Sequence, residues 1–112
     1  MEVKSVSKNT GISARKMRRL VDIVRGKPVD EALTLLKFTP SPSSRIVAKV
    51  VKAAVADAEI VYRIPSGELR IVSIFADEAQ TQRRFRAGAR RRVKPILKRS
   101  SHITVIVGEQ EA

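Results

Sequence analysis

Residues 83–99 contain many arginines and lysines but no acidic residue, and this stretch constrains the fold more than any other. Apolar, β-branched segments flank the region at 68–76 (ELRIVSIFA) and 102–107 (HITVIV), and both are predicted strands that pair antiparallel. The connection at 77–101 is far too long for a tight hairpin turn. We therefore expect both strands to continue as a basic ribbon that turns near Gly88 and projects roughly 30 Å. The ribbon has no hydrophobic face of its own, so its order should depend on what it binds.

Three segments that precede these strands have the apolar periodicity of helices. The first covers 13–25, with Ser13 as its N-cap and Gly26 as a left-handed C-cap. The second begins at Pro28 and spans about eight residues. It ends before Thr39 because a proline follows that residue and disfavours helix there.

The third helix has the strongest apolar pattern in the chain. Ser43 or Ser44 is the expected N-cap, and the helix should end before the turn at 64–67. A continuous apolar stripe runs over roughly four turns and is expected to pack in the core. It consists of Ile46, Val47, Val50, Val51, Ala54, Val55 and Ala58.

A weak edge strand is expected at 2–8, from its alternating apolar residues. In the strand at 68–76, alternation places Leu69, Ile71 and Phe75 on one face and Val72 and Ile74 on the other. Both faces are apolar, so one should pack on helices and the other should be partly covered. The predicted fold class is α+β: three helices packed on a small antiparallel sheet, with a long basic β-hairpin extension. One domain (1–112) includes the hairpin arm (77–101).

The composition limits the classes of function. The chain has 112 residues, 23 Lys+Arg against 11 Asp+Glu, a formal net charge of +12 and no cysteine. Without cysteine there is no disulfide framework, no zinc-finger spacing and no thiol nucleophile. No apolar run approaches the roughly 20 residues of a membrane span, so no membrane partner is expected. A chain this basic is expected to bind a polyanion, most commonly nucleic acid.

Most of the cations lie in two stretches, which we predict to be the nucleic-acid contacts. Acidic residues collect elsewhere, and the middle of the chain is close to neutral and typical of a scaffold. On a helix or a ribbon, long cationic side chains can reach several phosphates. The first stretch comprises Lys8, Arg15, Lys16, Arg18, Arg19, Arg25 and Lys27. The second comprises Arg83, Arg84, Arg86, Arg90, Arg91, Arg92, Lys94, Lys98 and Arg99.

Few residues suggest other chemistry. Asp77 and Glu78 are adjacent carboxylates that could hold Mg²⁺, but successive strand residues point to opposite faces, so a structural pair at the arm base is preferred. His102 is the sole histidine and is expected to form a hydrogen bond near the strand start, within the protein or with RNA. Phe85 either stacks on a base or packs on its own hairpin. No metal, cofactor or catalytic residue is therefore predicted.

Two alternative functions remain open on the residues alone. A basic β-ribbon also suits a dimeric architectural DNA-binding protein, which would prefer duplex DNA to structured RNA. A metal-dependent nuclease would use Asp77 and Glu78.

Six segments of the chain resemble one family in order and spacing. They are 12–16 (ISARK), 23–28 (IVRGKP), 31–33 (EAL), 56–59 (ADAE), 75–78 (FADE) and 98–105 (KRSSHITV). The family is the universal large-subunit ribosomal protein numbered twenty-two, in its short bacterial form. Asp57 stands where the family often has asparagine.

The resemblance implies a structural, non-catalytic component on the outer surface of the large ribosomal subunit. Its partners would be large-subunit (23S-type) rRNA, bound early in assembly, neighbouring large-subunit proteins, and the nascent peptide in the exit tunnel. It would be a monomer within the cytoplasmic ribosome of a bacterium, or within an organellar ribosome. The expected rRNA-binding set is the cations of both stretches together with Ser101 and His102.

The tip of the hairpin is expected to line the tunnel, through Arg86, Ala87, Gly88, Ala89, Arg90 and Arg91. The family usually has Pro-Arg-Ala-x-Gly-Arg here, whereas this chain has Ala-Gly-Ala-Arg-Arg-Arg at 87–92. The arginine charge lost at Gly88 could be supplied by Arg86, Arg90 or Arg91.

Overall fold

The computed structural model describes residues 2–87 and 93–109. The helices are α1 (Ala14–Val24), α2 (Val29–Lys37) and α3 (Pro42–Tyr62). The strands are β1 (Glu2–Ser7), β2 (Leu69–Glu78), β3 (Gln82–Ala87), β4 (Val93–Lys98) and β5 (Ser101–Glu109), with a 3₁₀ turn at Ser66–Glu68 before β2. Among these described helices, none is long and apolar enough to cross a membrane.

The core lies between the three helices and one face of an antiparallel sheet with the order β1-β5-β2. Alternate residues of the central strand β5 face the helices, and Ile103, Val105 and Val107 are completely buried. The stripe of α3 packs against them as predicted, with Val47 and Val51 also fully buried. Each such side chain contributes roughly 1.5–3 kcal/mol through its removal from water. The α+β class, the edge position of β1 and the antiparallel β2–β5 pair are confirmed.

Helix ends follow the proline and glycine positions, with one correction. Gly26 has φ +76° after α1, and α2 begins directly after Pro28, as expected. The predicted cap of α3 at Ser43 or Ser44 is wrong, because Ser41 is the N-cap and its Oγ accepts the Ser43 N–H at 3.2 Å. Pro42 fits the first helical position, where its missing N–H costs nothing, and so the helix starts earlier.

The predicted alternation in β2 is wrong beyond Ile71, because the strand contains a bulge. Ile71 pairs with Val107 but Ser73 pairs with Ile106, so Val72 is an extra residue. The bulge exchanges the faces of the residues that follow. Ile74 is therefore 1% exposed in the core, whereas Phe75 is 39% exposed on the other side of the sheet.

The basic ribbon projects from the end of the sheet where β2 stops and β5 starts. The β2–β5 ladder extends to Glu78 and Ser101, and β3 and β4 form a separate antiparallel pair from Gln82–Lys98 to Ala87–Val93. The molecule accordingly measures 65 × 26 × 17 Å. The predicted turn near Gly88 and the tip at 88–92 lie outside the described residues.

Candidate nucleic-acid interface

The exposed side of α1 carries four cations of the first basic stretch. Met17 and Val21 are fully buried beneath it, which fixes the rotation of the helix on the core. Arg15, Lys16 and the pair Arg18–Arg19 are exposed. None of the four forms an ion pair with any described residue. Their charges are thus available to an external anion.

Arg25 and Lys27, predicted as contacts in the same stretch, already have partners inside the protein. Arg25 Nη1 lies 2.7 Å from Asp22 Oδ1, and its Nη2 donates to the Ile74 carbonyl at 3.0 Å. Lys27 Nζ lies 3.6 Å from Glu31 Oε1. Because these ion pairs are about half exposed, they contribute little stability. The Arg25–Ile74 bond nevertheless ties the end of α1 to β2.

The loop between β1 and α1 joins the two basic stretches. Asn9 N–H donates to His102 Nδ1 at 3.1 Å, Thr10 N–H to the Ser101 carbonyl at 3.0 Å, and Gly11 N–H to Ser100 Oγ at 3.0 Å. Asn9 and Gly11 adopt positive φ, of +55° and +79°, which curls the loop onto the start of β5. The loop therefore holds the first turn of α1 beside the base of the arm, and Lys8 and Arg99 are exposed next to these contacts.

Ser101, which was predicted as an rRNA contact, is completely buried in the structure. Its hydroxyl donates to the Ile12 carbonyl at 2.7 Å and lies 2.8 Å from Thr10 Oγ1. Since a serine hydroxyl has one proton, Thr10 is the donor in the second bond. His102 is partly buried, and its Nδ1 accepts the hydrogen bond from Asn9 N–H, so Nε2 is the nitrogen that carries the proton in the neutral ring.

The arm presents exposed apolar side chains as well as cations, in contrast to the expectation that it has no hydrophobic face. Arg83 pairs with Leu97, and residues opposed in an antiparallel ladder share a face, as do residues two apart. Phe85 and Leu97 therefore lie on one face, at 70% and 51% exposure. Such exposure favours stacking by Phe85 on a partner over packing within the hairpin. Lys98 is exposed at the base.

The second stretch is described only in part. Arg83, Lys98 and Arg99 are exposed. The backbone of Arg84, Arg86, Ala87 and Lys94 belongs to the β3–β4 pair. Arg90, Arg91 and Arg92, together with Gly88 and Ala89, lie outside the described residues.

A third basic surface lies in the middle of the chain, which the sequence had led us to expect to be a neutral scaffold. Lys37 of α2 and three cations of α3 line a groove of about 980 Å³ between these helices. The α3 residues are Arg45, Lys49 and Lys52, at i, i+4 and i+7, a spacing that places them on one helix face. This spacing was the available signal, but the apolar stripe of the same helix dominated the pattern.

The carboxylates of Asp77 and Glu78 are exposed at the arm base, opposite His102 and Ser101 in the strand register. Consecutive strand residues face opposite sides of the sheet. Within the described residues there is no group of three or more His, Cys, Asp or Glu side chains placed to hold a metal ion.

Comparison with known proteins gives a family for this arrangement. Residues 5–108 match the family described as ribosomal protein L22p/L17e. The chain belongs to this family. It is 54% identical over 109 residues to the large ribosomal subunit protein uL22 of Dehalococcoides mccartyi strains BAV1 and CBDB1, and 53% identical to that of strain 195. In each case the similarity covers 97% of this chain and 100% of the relative.

Family membership confirms the resemblance found in the sequence and assigns the chain to the large ribosomal subunit. Proteins of this family are structural components of the ribosome and not enzymes, and the bacterial uL22 relatives are ribosomal and hence cytoplasmic. The carboxylates at the arm base accordingly need no catalytic role.

Proposed function

We propose that the protein binds large-subunit rRNA through one continuous basic surface that runs from α1, across the loop at 9–13, to the hairpin arm. The observation that carries the proposal is the set of hydrogen bonds from Asn9, Thr10 and Gly11 to residues 100–102. These bonds bring together two stretches of cations that are far apart in the sequence. The groove cations of α2 and α3 extend the surface on the body.

The parts of this surface serve different purposes. The α1 cations are held on a rigid helix and suit phosphates of a folded RNA backbone, which position a protein on its target. The arm is a two-stranded ribbon that is marginal alone and becomes ordered when RNA surrounds it. We assign to its tip, at 86–91, the wall of the nascent-peptide exit tunnel, and we assign rRNA contacts to the cations of both stretches.

Unique cysteines provide the test of rRNA contact, because the chain has no cysteine of its own. Leu97→Cys on the arm and Ile23→Cys on α1 each replace an exposed apolar residue and leave every cation in place. An iron chelate attached at either position, after incorporation into large subunits, should generate hydroxyl radicals that cleave rRNA nearby. The matched control is Ile60→Cys, which is 78% exposed at the far end of α3. Equal cleavage from all three positions, or none from position 97, would refute the proposal.

The tunnel assignment needs a separate experiment. A photocrosslinker on Ala89→Cys should form an adduct with a stalled nascent peptide in translating ribosomes, whereas the same reagent on Ile23→Cys should not. Adducts of position 89 with rRNA alone would contradict the tunnel role and leave the rRNA proposal intact.

The DNA-binding alternative is tested by competition. The free protein should be a monomer by size-exclusion chromatography and should prefer structured RNA to duplex DNA of equal length at the same salt concentration. A stable dimer with a preference for duplex DNA would favour the architectural role.

A further inference from the structure

Three of the four residues in the last turn of α3 are apolar and yet exposed. Ile60, Val61 and Tyr62 are 78%, 66% and 45% exposed. Successive helix residues are about 100° apart, so the three side chains point in three directions around the helix axis. Large apolar side chains that cover most of a helix circumference are normally buried. Here the core covers the helix as far as Ala58, whereas the described residues leave Ile60 and Val61 mostly uncovered.

This turn lies at the end of the molecule opposite the arm. The arm leaves the sheet beside Glu78 and Ser101, whereas the other end of the same ladder pairs Leu69 with Glu109. The 3₁₀ turn at Ser66–Glu68 leads into Leu69 and packs against α3. The exposed apolar turn is therefore separated from the basic ribbon by the length of β2.

The surroundings of the apolar turn are acidic, in a chain whose net charge is +12. Asp57, Glu59 and Glu68 are exposed around it. Glu2 and Glu109 are exposed at the same end of the sheet, because Glu2 pairs with Gly108. Asp30 lies at the same end, because a side chain at Gly67 would place its Cβ 4.0 Å from Asp30 Oδ2. Arg63 and Arg70 lie in the same region, so the acidic residues named here outnumber the two arginines among the described residues.

The charges at the two ends of α3 do not stabilise the helix itself. Arg45 lies in the first turn, at the positive end of the helix dipole, and Glu59 lies in the last turn, at the negative end. Both positions are electrostatically unfavourable for an isolated helix. Binding partners outside the chain explain this order of charges. The cations lie at the end of α3 near the arm, where RNA binds, and the acidic residues lie at the other end.

We infer that the distal surface, formed by Asp57, Glu59, Ile60, Val61, Tyr62 and Glu68, is a protein-docking site that receives a basic polypeptide segment of a neighbouring large-subunit protein. The inference rests on the assignment to the ribosome and not on the tunnel role. Apolar side chains of the segment would cover Ile60 and Val61, and its lysines or arginines would meet the three carboxylates.

The charge and the size of the distal surface favour a basic polypeptide segment over RNA or a second copy of the chain. RNA phosphates would be repelled by the carboxylates, whose charges are little compensated within the described residues. A second copy of the chain would place the same acids against each other in a two-fold interface. One exposed helical turn is also far smaller than the roughly 800 Å² per partner of a stable dimer. It suits a short segment that is held elsewhere in the particle.

Position-specific crosslinking inside the ribosome tests the inference. Val61→Cys, labelled with benzophenone-maleimide and incorporated into large subunits, should on irradiation give an adduct that survives ribonuclease and is lost with protease. Mass spectrometry should identify the partner peptide as a lysine- and arginine-rich segment of a large-subunit protein. The matched control is Phe38→Cys, which is 76% exposed against 66% for Val61, but lies beside Lys37 and the basic groove. Its adduct should be with rRNA.

A second variant distinguishes a charge-dependent docking contact from simple proximity to a neighbouring protein. Glu59→Lys in the Val61→Cys protein reverses one carboxylate and should lower the yield of the protein adduct about tenfold, since one lost charge pair at a desolvated contact is worth about that factor. Circular dichroism and co-sedimentation with large subunits confirm that each variant is folded and incorporated. An rRNA adduct at position 61, an adduct with an acidic or neutral segment, no adduct while position 38 reacts, or an unchanged yield in Glu59→Lys would each overturn the inference.

Discussion

Ser101→Ala should destabilise the protein without removing an RNA contact. The serine is completely buried, and its hydroxyl links the Ile12 carbonyl at 2.7 Å to Thr10 Oγ1 at 2.8 Å. These two bonds hold the loop that starts α1 against the base of the arm. Alanine fits the space but leaves both partners without the hydroxyl.

The expected loss of stability follows from the number of hydrogen bonds that the Ser101 hydroxyl makes and from its burial. Each hydrogen bond contributes about 1 kcal/mol net, and an orphaned buried acceptor costs more. Thr10 Oγ1 lies 3.3 Å from the Ile12 carbonyl and can recover part of the loss. We therefore expect a decrease of about 2 kcal/mol in the free energy of unfolding. For a chain of this length, that lowers Tm by roughly 9 °C.

Ser100→Ala is the matched control, because the neighbouring serine makes one exposed bond, from Gly11 N–H to its Oγ at 3.0 Å. Water can replace that acceptor, so the loss should be about 0.5 kcal/mol or less. Urea denaturation gives both values, and rRNA affinity is measured at a temperature where both variants are folded. Equal stability of the two variants, or a loss of rRNA affinity in folded Ser101→Ala, would refute the buried role.

Three further predictions test the fold. In urea denaturation, Ile74→Ala should lower the free energy of unfolding by about 3 kcal/mol. Phe75→Ala should lower it by less than about 1 kcal/mol. A larger loss in Phe75→Ala than in Ile74→Ala would mean that the bulge at Val72 is absent. Arg63→Gly should raise the free energy of unfolding by up to about 1 kcal/mol, because Arg63 caps α3 with φ +55°, and a lower Tm would contradict this. Ser41→Ala should cost about 1 kcal/mol through the lost cap, and equal loss in Ser43→Ala would contradict the assignment of the cap.

The order of elements was predictable because each is specified locally. The apolar stripe of α3 needs only its own spacing, and proline and glycine mark the ends of α1 and α2. The bulge in β2 was not predictable, because an extra residue is visible only against the partner strand. Strict alternation therefore placed Phe75 on the same face as Ile71 and Ile74 on the opposite face. The cap of α3 was missed because several serines compete near Pro42, and each is a suitable cap.

The basic residues of the site could be predicted from the sequence, but the surface that they form together could not. Two basic stretches can be read directly from the chain, yet their proximity in the fold depends on hydrogen bonds between residues about ninety positions apart. For the same reason the burial of Ser101, which was predicted as an rRNA contact, could not be predicted, because it depends on packing against the loop at 9–13. The groove cations of α3 were hidden by the stronger apolar period of that helix.

The salt dependence of rRNA binding tests the central claim most directly, because each phosphate contact contributes roughly 0.7–0.9 to the slope of log K against log salt. Arg15, Lys16 and Arg19, changed together to glutamine, should reduce that slope by about 2–3. Arg63→Gln removes one exposed charge at the opposite end of the molecule and should leave the slope unchanged. An unchanged slope in the triple variant, or a fall in the Arg63→Gln control, would show that the basic surface described here is not the one that binds RNA.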